Sequence, residues 1–242
     1  VPPTTTPVQI DLNTLLDARA SAARSWALTQ LGLDQCTFAP ASADASFRRY
    51  FRISTVSGEQ SWVVMDAPPD QENSEPFVRI ARLLAQAGLH VPQIVAKDMA
   101  HGFLLLSDLG HQTYLNVLDA ENAEALIQIQ LCPVPAGFPA YDRELLQREL
   151  SLFPDWYVGR ERACQLTAPQ LQAWQQVCET LVGSALSQPR VLVHRDFMPR
   201  NLMISTPQPG VLDFQDAVLG PVTYDVVCLF KDAFLSWPQS RI

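Results

Sequence analysis

Val191-Leu192-Val193-His194-Arg195-Asp196-Phe197-Met198-Pro199-Arg200-Asn201 is the stretch that decides how this chain is read. An apolar run ends in an acid, Asp196, and an asparagine follows five residues later, at Asn201. Twelve residues beyond Asn201 stands Asp213, at the end of a second apolar run, Val211-Leu212-Asp213-Phe214. Two carboxylates and an amide are thus expected at the ends of two short strands.

That grouping is what phosphoryl transfer needs. One carboxylate orients and deprotonates an attacking hydroxyl, while an amide oxygen and another carboxylate hold Mg²⁺ on the phosphates of ATP. Asp196 is the candidate base, and Asn201 and Asp213 are the candidate metal ligands. An H-R-D triplet alone says little; the asparagine at this spacing and the second acid leaving a strand make the signal specific. His194 reads as structural, and Asp216 as either a solvated acid or a site residue.

Around this centre the chain is expected to be helical, with helices near 121–131, 142–160, 168–187 and from Tyr224 onward, and short strands at 190–194, 202–205 and 211–214. The first half is richer in strands. Phe47, Phe51 and Ile53 alternate with Arg48, Tyr50 and Arg52, and Trp62-Val63-Val64-Met65 forms a second apolar run beyond the turn Ser57-Gly58-Glu59. A helix over 75–87 presents Phe77, Ile80, Ala81 and Leu84 on one face and stops at Gly88, and 94–98 with 103–107 reads as a hairpin. An earlier helix is expected over 10–33, ended by Gly32, after a Pro/Thr tail at 1–9.

Composition bounds the rest. The 242 residues carry 17 basic and 25 acidic side chains, a net charge of −8, which makes a poor footprint for nucleic acid. Apolar runs are too short to span a membrane, and no signal-peptide pattern opens the sequence given. Five cysteines without a CxxC pair argue against a disulfide framework or structural zinc and point to reduced thiols in a cytoplasmic protein. Cys164 and Cys178 read as packing residues. The ten glycines include no G-x-G-x-x-G and no Walker A loop.

The segments HRDFMPRN (194–201), GVLDFQDA (210–217) and GPVTYD (220–225) resemble the aminoglycoside phosphotransferase/choline kinase branch of the protein-kinase-like fold. ASFRRYFR (45–52), VMDAPP (64–69), LLSDLG (105–110) and LFPDWY (152–157) are similar to the bacterial anomeric sugar kinases acting on N-acetylmuramate and N-acetylglucosamine. The resemblance covers about residues 40–242 and implies an α+β, two-lobed fold with a β-rich nucleotide-binding lobe at 10–107 and a helical catalytic lobe at 108–242. It implies an ATP- and Mg²⁺-dependent transfer to the C1 hydroxyl of a small amino sugar, in cell-wall sugar recycling. By the same likeness Asp225 anchors the catalytic loop, Ser107 to Leu109 form the hinge that reads adenine, and Ala43 to Phe47, including Ser46, cover the phosphates. Asp155, Trp156 and Arg200 are candidates to face the sugar, although a tryptophan in that helix is more often core.

One departure stands out. The strand that should carry an ATP-pairing lysine reads Trp62-Val63-Val64-Met65-Asp66, with aspartate at the lysine position. The only lysines, Lys97 and Lys231, are out of register to replace it. Either Arg48 or Arg49 is then expected to supply the cation, and strict alternation favours Arg49 as the buried one. The alternatives are an aminoglycoside- or choline-type kinase and a nucleotide-binding scaffold without catalysis; the intact Asp196, Asn201 and Asp213 weigh against the scaffold. The expected helix over 121–131 is about 16 Å long at 1.5 Å per residue, short for the first long helix of such a lobe, and implies residues skipped within 120–127. Similar sequences also continue past Ile242 with helices that close the acceptor pocket.

Overall fold

The computed structural model describes residues 17–43, 47–116, 120–207 and 209–231. They fall into two compact units: the described parts of 1–75 with 92–108, and of 76–91 with 109–242. The chain passes from the first unit to the second after Asp108, and the 76–91 segment belongs to the second unit.

The first unit is one antiparallel sheet with a helix on it. Strands β1 (Thr37–Ala43), β2 (Arg49–Ser54), β3 (Ser61–Asp66), β4 (Ile94–Asp98) and β5 (Phe103–Ser107) run in the order β1-β2-β3-β5-β4. The alternation that predicts β2 holds at Phe51 and Ile53, both buried, but fails before the strand starts: Phe47 is exposed and Arg48 is buried. Strand β1 has no sequence signal. Its Pro40 and a bulge between Pro40 and Ser42 are tolerable because β1 pairs only with β2, at the sheet edge. Helix α1 (Ala18–Leu31) starts at Asp17, whose carboxylate caps the Ala20 N–H, and ends at Gly32 in the left-handed region. Its buried face is alanine: Ala20, Ala23 and Ala27 lie against Phe38, Phe51, Ile53, Val64, Phe103 and Leu105, small side chains letting the helix approach the sheet closely. The hairpin turn before β5 requires glycine, since a Cβ on Gly102 would stand 1.8 Å from the Ala67 carbonyl oxygen. The tail at 1–9 and the expected helix start at 10–16 lie outside the described residues.

The second unit holds helices α2 (Glu75–Gln86), α3 (Ala120–Leu131), α4 (Arg143–Leu152), α5 (Ala168–Leu186) and α6 (Tyr224–Phe230). It also holds two two-stranded ribbons, β6 (Arg190–Val193) with β9 (Val218–Pro221) and β7 (Leu202–Met203) with β8 (Gly210–Val211). The α2 face expected from periodicity is buried, and Phe77 packs on Phe214 with ring centres 4.9 Å apart. Helix α3 is unbroken, so the interruption expected in 120–127 is not found. The expected helix over 142–160 divides at Leu152. Pro154 lacks an N–H and crowds the carbonyl four residues before it, and the chain widens into a π-helical segment at Phe153–Glu161. Trp156 in that segment is exposed, not core, with the Arg160 guanidinium 3.9 Å above its ring. Cys164 is exposed too, so it does not pack as expected. Among the described residues no helix is long and apolar enough to cross a membrane.

Candidate active site

Strand β6 delivers the loop that carries Asp196, the candidate base. As it ends, His194 is buried; its Nε2–H donates to the Leu212 carbonyl at 2.9 Å and its Nδ1 accepts the Asp196 N–H at 3.2 Å. Burial lowers its pKa to about 4, so the ring is a neutral strut between the two loops, the structural part expected of it. Arg195 follows with φ of 79° and Asp213 with φ of 61°, both left-handed turns taken by non-glycine residues.

Asp225, at the start of α6, is almost wholly buried. One carboxylate oxygen accepts the His194 N–H at 2.6 Å and the other the Arg195 N–H at 3.0 Å. Burial pushes its pKa up to about 6 against these two donors, which favour the charged form. The bonds fix the backbone that presents Asp196. Burial, and next the Asp213 charge, push the Asp196 carboxyl up to about 6.

Asn201 comes back to this centre on a single 3-10 turn, Pro199–Asn201. Its amide nitrogen donates to the Asp196 carbonyl at 2.9 Å and lies 3.4 Å from Asp213 Oδ2. Gln215 Nε2 donates to Asp213 Oδ1 at 2.8 Å. Asp196, Asn201 and Asp213 are therefore gathered as the spacing predicts. With its nitrogen committed, Asn201 presents its amide oxygen, so the donors beside Asp213 are hard oxygens that fit a magnesium ion. Among the described residues no cluster of three His, Cys, Asp or Glu side chains forms a metal cage; a magnesium ion held partly by phosphates requires none.

Two residues here, Glu149 and Tyr141, carry no sequence signal. Glu149 of α4 forms an ion pair with Arg195 and accepts the Tyr141 hydroxyl, and the Arg195 guanidinium lies 5.7 Å from the Tyr141 ring centre. Tyr141 in turn meets Tyr224 edge-on at 5.1 Å. Arg195 and Asp196 line a cavity of about 560 Å³ within the second unit, whose far wall is α5 and α6. Asp155, Trp156 and Arg200 are outside that cavity, and all three are exposed. Asp216 is also exposed; its carboxylate lies 3.4 Å from Gln215 Nε2, and its carbonyl accepts Arg195 Nη1 at 3.4 Å.

In the first unit the two arginines reverse the expected order. Arg48 is the buried one, paired with Glu72 at 3.1 Å, and Glu72 also accepts the Phe47 N–H at 3.1 Å. Arg49 is 37% exposed and bound to Asp66 and Asp17. Asp66, fully buried at the lysine position, also accepts Arg19 Nε at 3.0 Å. The aspartate there is a fastener between α1 and the sheet. Ser107 commits its N–H to the Gln93 carbonyl at 2.9 Å, so it does not offer that donor to an adenine. Leu109 is buried, and Ser46 lies outside the described residues.

Comparison with known proteins agrees with this geometry. The sequence profile described as "Phosphotransferase enzyme family" matches residues 37–241. A Pseudomonas aeruginosa protein named N-acetylmuramate/N-acetylglucosamine kinase is 60% identical over 211 residues, which cover 84% of this chain and 62% of that protein. A Neisseria meningitidis protein of the same name is 44% identical over 214 residues, 84% of this chain and 63% of that one. The chain thus spans less than two thirds of the length of these curated relatives. Among solved structures, a choline kinase from Streptococcus pneumoniae superposes with a TM-score of 0.64 at 10% identity, over 93% of this chain and 84% of its own. The shared fold is that of protein-kinase-like phosphotransferases, an α+β architecture, and the chain belongs to the phosphotransferase enzyme family.

Proposed function

We propose that the chain is the catalytic part of an ATP-dependent amino-sugar kinase that phosphorylates the C1 hydroxyl of N-acetylmuramate and N-acetylglucosamine, in the recycling of cell-wall sugars. The observation that carries this reading is the 60% identity, over 84% of the chain, to a kinase named for those two sugars. Asp196 is the base: it orients the sugar hydroxyl and takes its proton. An anomeric hydroxyl is more acidic than an ordinary alcohol, so a carboxylate suffices. Asn201 and Asp213 hold magnesium, which supplies charge neutralisation on the phosphates when bound with ATP. Asp225 keeps the loop in place. Arg48, Arg49, Phe47, Ser46, Ser107 and Leu109 are the nucleotide-side candidates, and Asp155, Trp156 and Arg200 the outer acceptor candidates. Nucleotide use is supported by a fold relative, an aminoglycoside phosphotransferase variant in ternary complex with ADP and hygromycin B, which superposes with a TM-score of 0.59. Five unpaired cysteines suit the reducing cytoplasm, where ATP is held.

The test is ATP turnover with magnesium and a panel of amino sugars, the product read by ³¹P NMR. A C1 phosphate on either N-acetylated sugar, and none on their C1 methyl glycosides, is expected. No turnover of either sugar overturns the reading.

A further inference from the structure

The cavity beside Asp196 has a wall whose chemistry the catalytic step does not use. Tyr224, Val227, Cys228 and Lys231 all line it, at spacings i, i+3, i+4 and i+7, which is one face of α6 and its C-terminal cap. That face is held in register with the catalytic loop at two points. Asp225 accepts the His194 and Arg195 N–H groups, and Cys228 Sγ donates to the Arg195 carbonyl at 3.3 Å. Lys231 therefore stands a fixed distance past the anchor, about 9 Å along the helix axis at 1.5 Å per residue.

The charges around the cavity are unequal in use. Asp196 contributes a carboxylate. Arg195 contributes a guanidinium already paired with Glu149. Lys231 contributes an ammonium that makes no ion pair among the described residues, and it is one of only two lysines in the chain. An acceptor bearing its own carboxylate would bring a second anion into a space that already holds Asp196, in a chain of net charge −8. It needs a counter-charge that is not already neutralised. A cavity of about 560 Å³ is ample for such a sugar.

We propose that Lys231 is the specificity-determining residue of the acceptor cavity, pairing with the carboxylate of an acidic amino sugar while Asp196 acts on its hydroxyl. This rests on the amino-sugar kinase reading above. The two sugars in question differ by that group: N-acetylmuramate carries a lactyl ether carboxylate and N-acetylglucosamine does not. Lys231 thus sets the preference between them.

The experiment compares kcat/KM for both sugars in the full chain, in Lys231→Met and in Lys231→Arg. The expected result is that Lys231→Met lowers the N-acetylmuramate to N-acetylglucosamine ratio about 5- to 20-fold, the scale of one charge-assisted contact at an accessible site. Lys231→Arg restores most of the ratio. Raising ionic strength compresses the ratio in the parent protein and not in Lys231→Met. A ratio unchanged by Lys231→Met overturns this assignment alone. Absence of turnover with both sugars in the parent protein overturns the kinase reading, and this one with it.

Discussion

Asp66 and Arg49 face each other across β3 and β2, the buried carboxylate receiving Arg49 Nε at 3.1 Å. With Arg19 on its other oxygen, Asp66 ties α1 to the sheet at the position where a kinase strand would carry lysine. Asp66→Lys should therefore not restore a phosphate-binding cation. It places a third cation against two guanidiniums and is expected to lower stability by about 3–5 kcal/mol. A denaturation midpoint equal to that of the parent would refute the fastening role.

Arg48 and Arg49 should separate by readout. Arg48, with Glu72, braces the start of β2 beside Phe47, where the phosphate-covering turn is expected. Arg48→Ala is expected to raise KM for ATP several-fold, whereas Arg49→Ala shows mainly as lost thermal stability. The opposite pattern, with Arg49→Ala dominating the ATP KM, would return the cation's part to Arg49.

Asp196→Asn should bind nucleotide nearly as the parent does and lose roughly 10²–10⁴ in turnover, with the lower end expected for an acidic hydroxyl. Titration of nucleotide beside single-turnover rates checks this, and near-parental turnover removes Asp196 as the base.

Asp213→Ala should abolish the magnesium dependence of nucleotide affinity, because it removes the one carboxylate of the proposed ligand pair. Nucleotide affinity measured with and without EDTA decides it; a preserved magnesium effect points to other ligands.

His194 predicts how stability follows pH. Its folded pKa lies near 4 against 6.5 for the free side chain. Between those values the unfolded chain takes up a proton that the folded chain refuses, so the His194 contribution to stability falls as pH drops from 6.5 to 4, while Asp196 and Asp225, with folded pKa values raised to about 6, work in the opposite direction. The loss amounts to about 3 kcal/mol and levels off below pH 4. In His194→Gln that part of the slope should vanish; an unaltered slope would mean that another group carries it.

The legible parts of this molecule are those whose signal is local. The five-residue spacing of Asp196 and Asn201, the face of α2 and the β4–β5 hairpin follow from neighbours in sequence. What escaped depends on distant partners. Strand β1 exists because β2 offers it an edge, and β9 because Gly220 and its neighbours pair with β6. Glu149 reaches Arg195 from 46 residues away. Alternation favoured Arg49 as the buried arginine, but the carboxylates that settle the order, Asp17, Asp66 and Glu72, come from three separate segments.

The left-handed turns at Arg195 and Asp213 bear on how this chain would respond to selection. Each holds an L side chain in backbone that glycine adopts more cheaply, a strain on the order of 1 kcal/mol apiece. A library screened for heat resistance alone would be drawn toward glycine at 213, removing the carboxylate that faces Asn201. With Asp213 in its proposed role as a magnesium ligand, thermostability and phosphotransfer compete at this residue, and any stabilising campaign has to hold it constant.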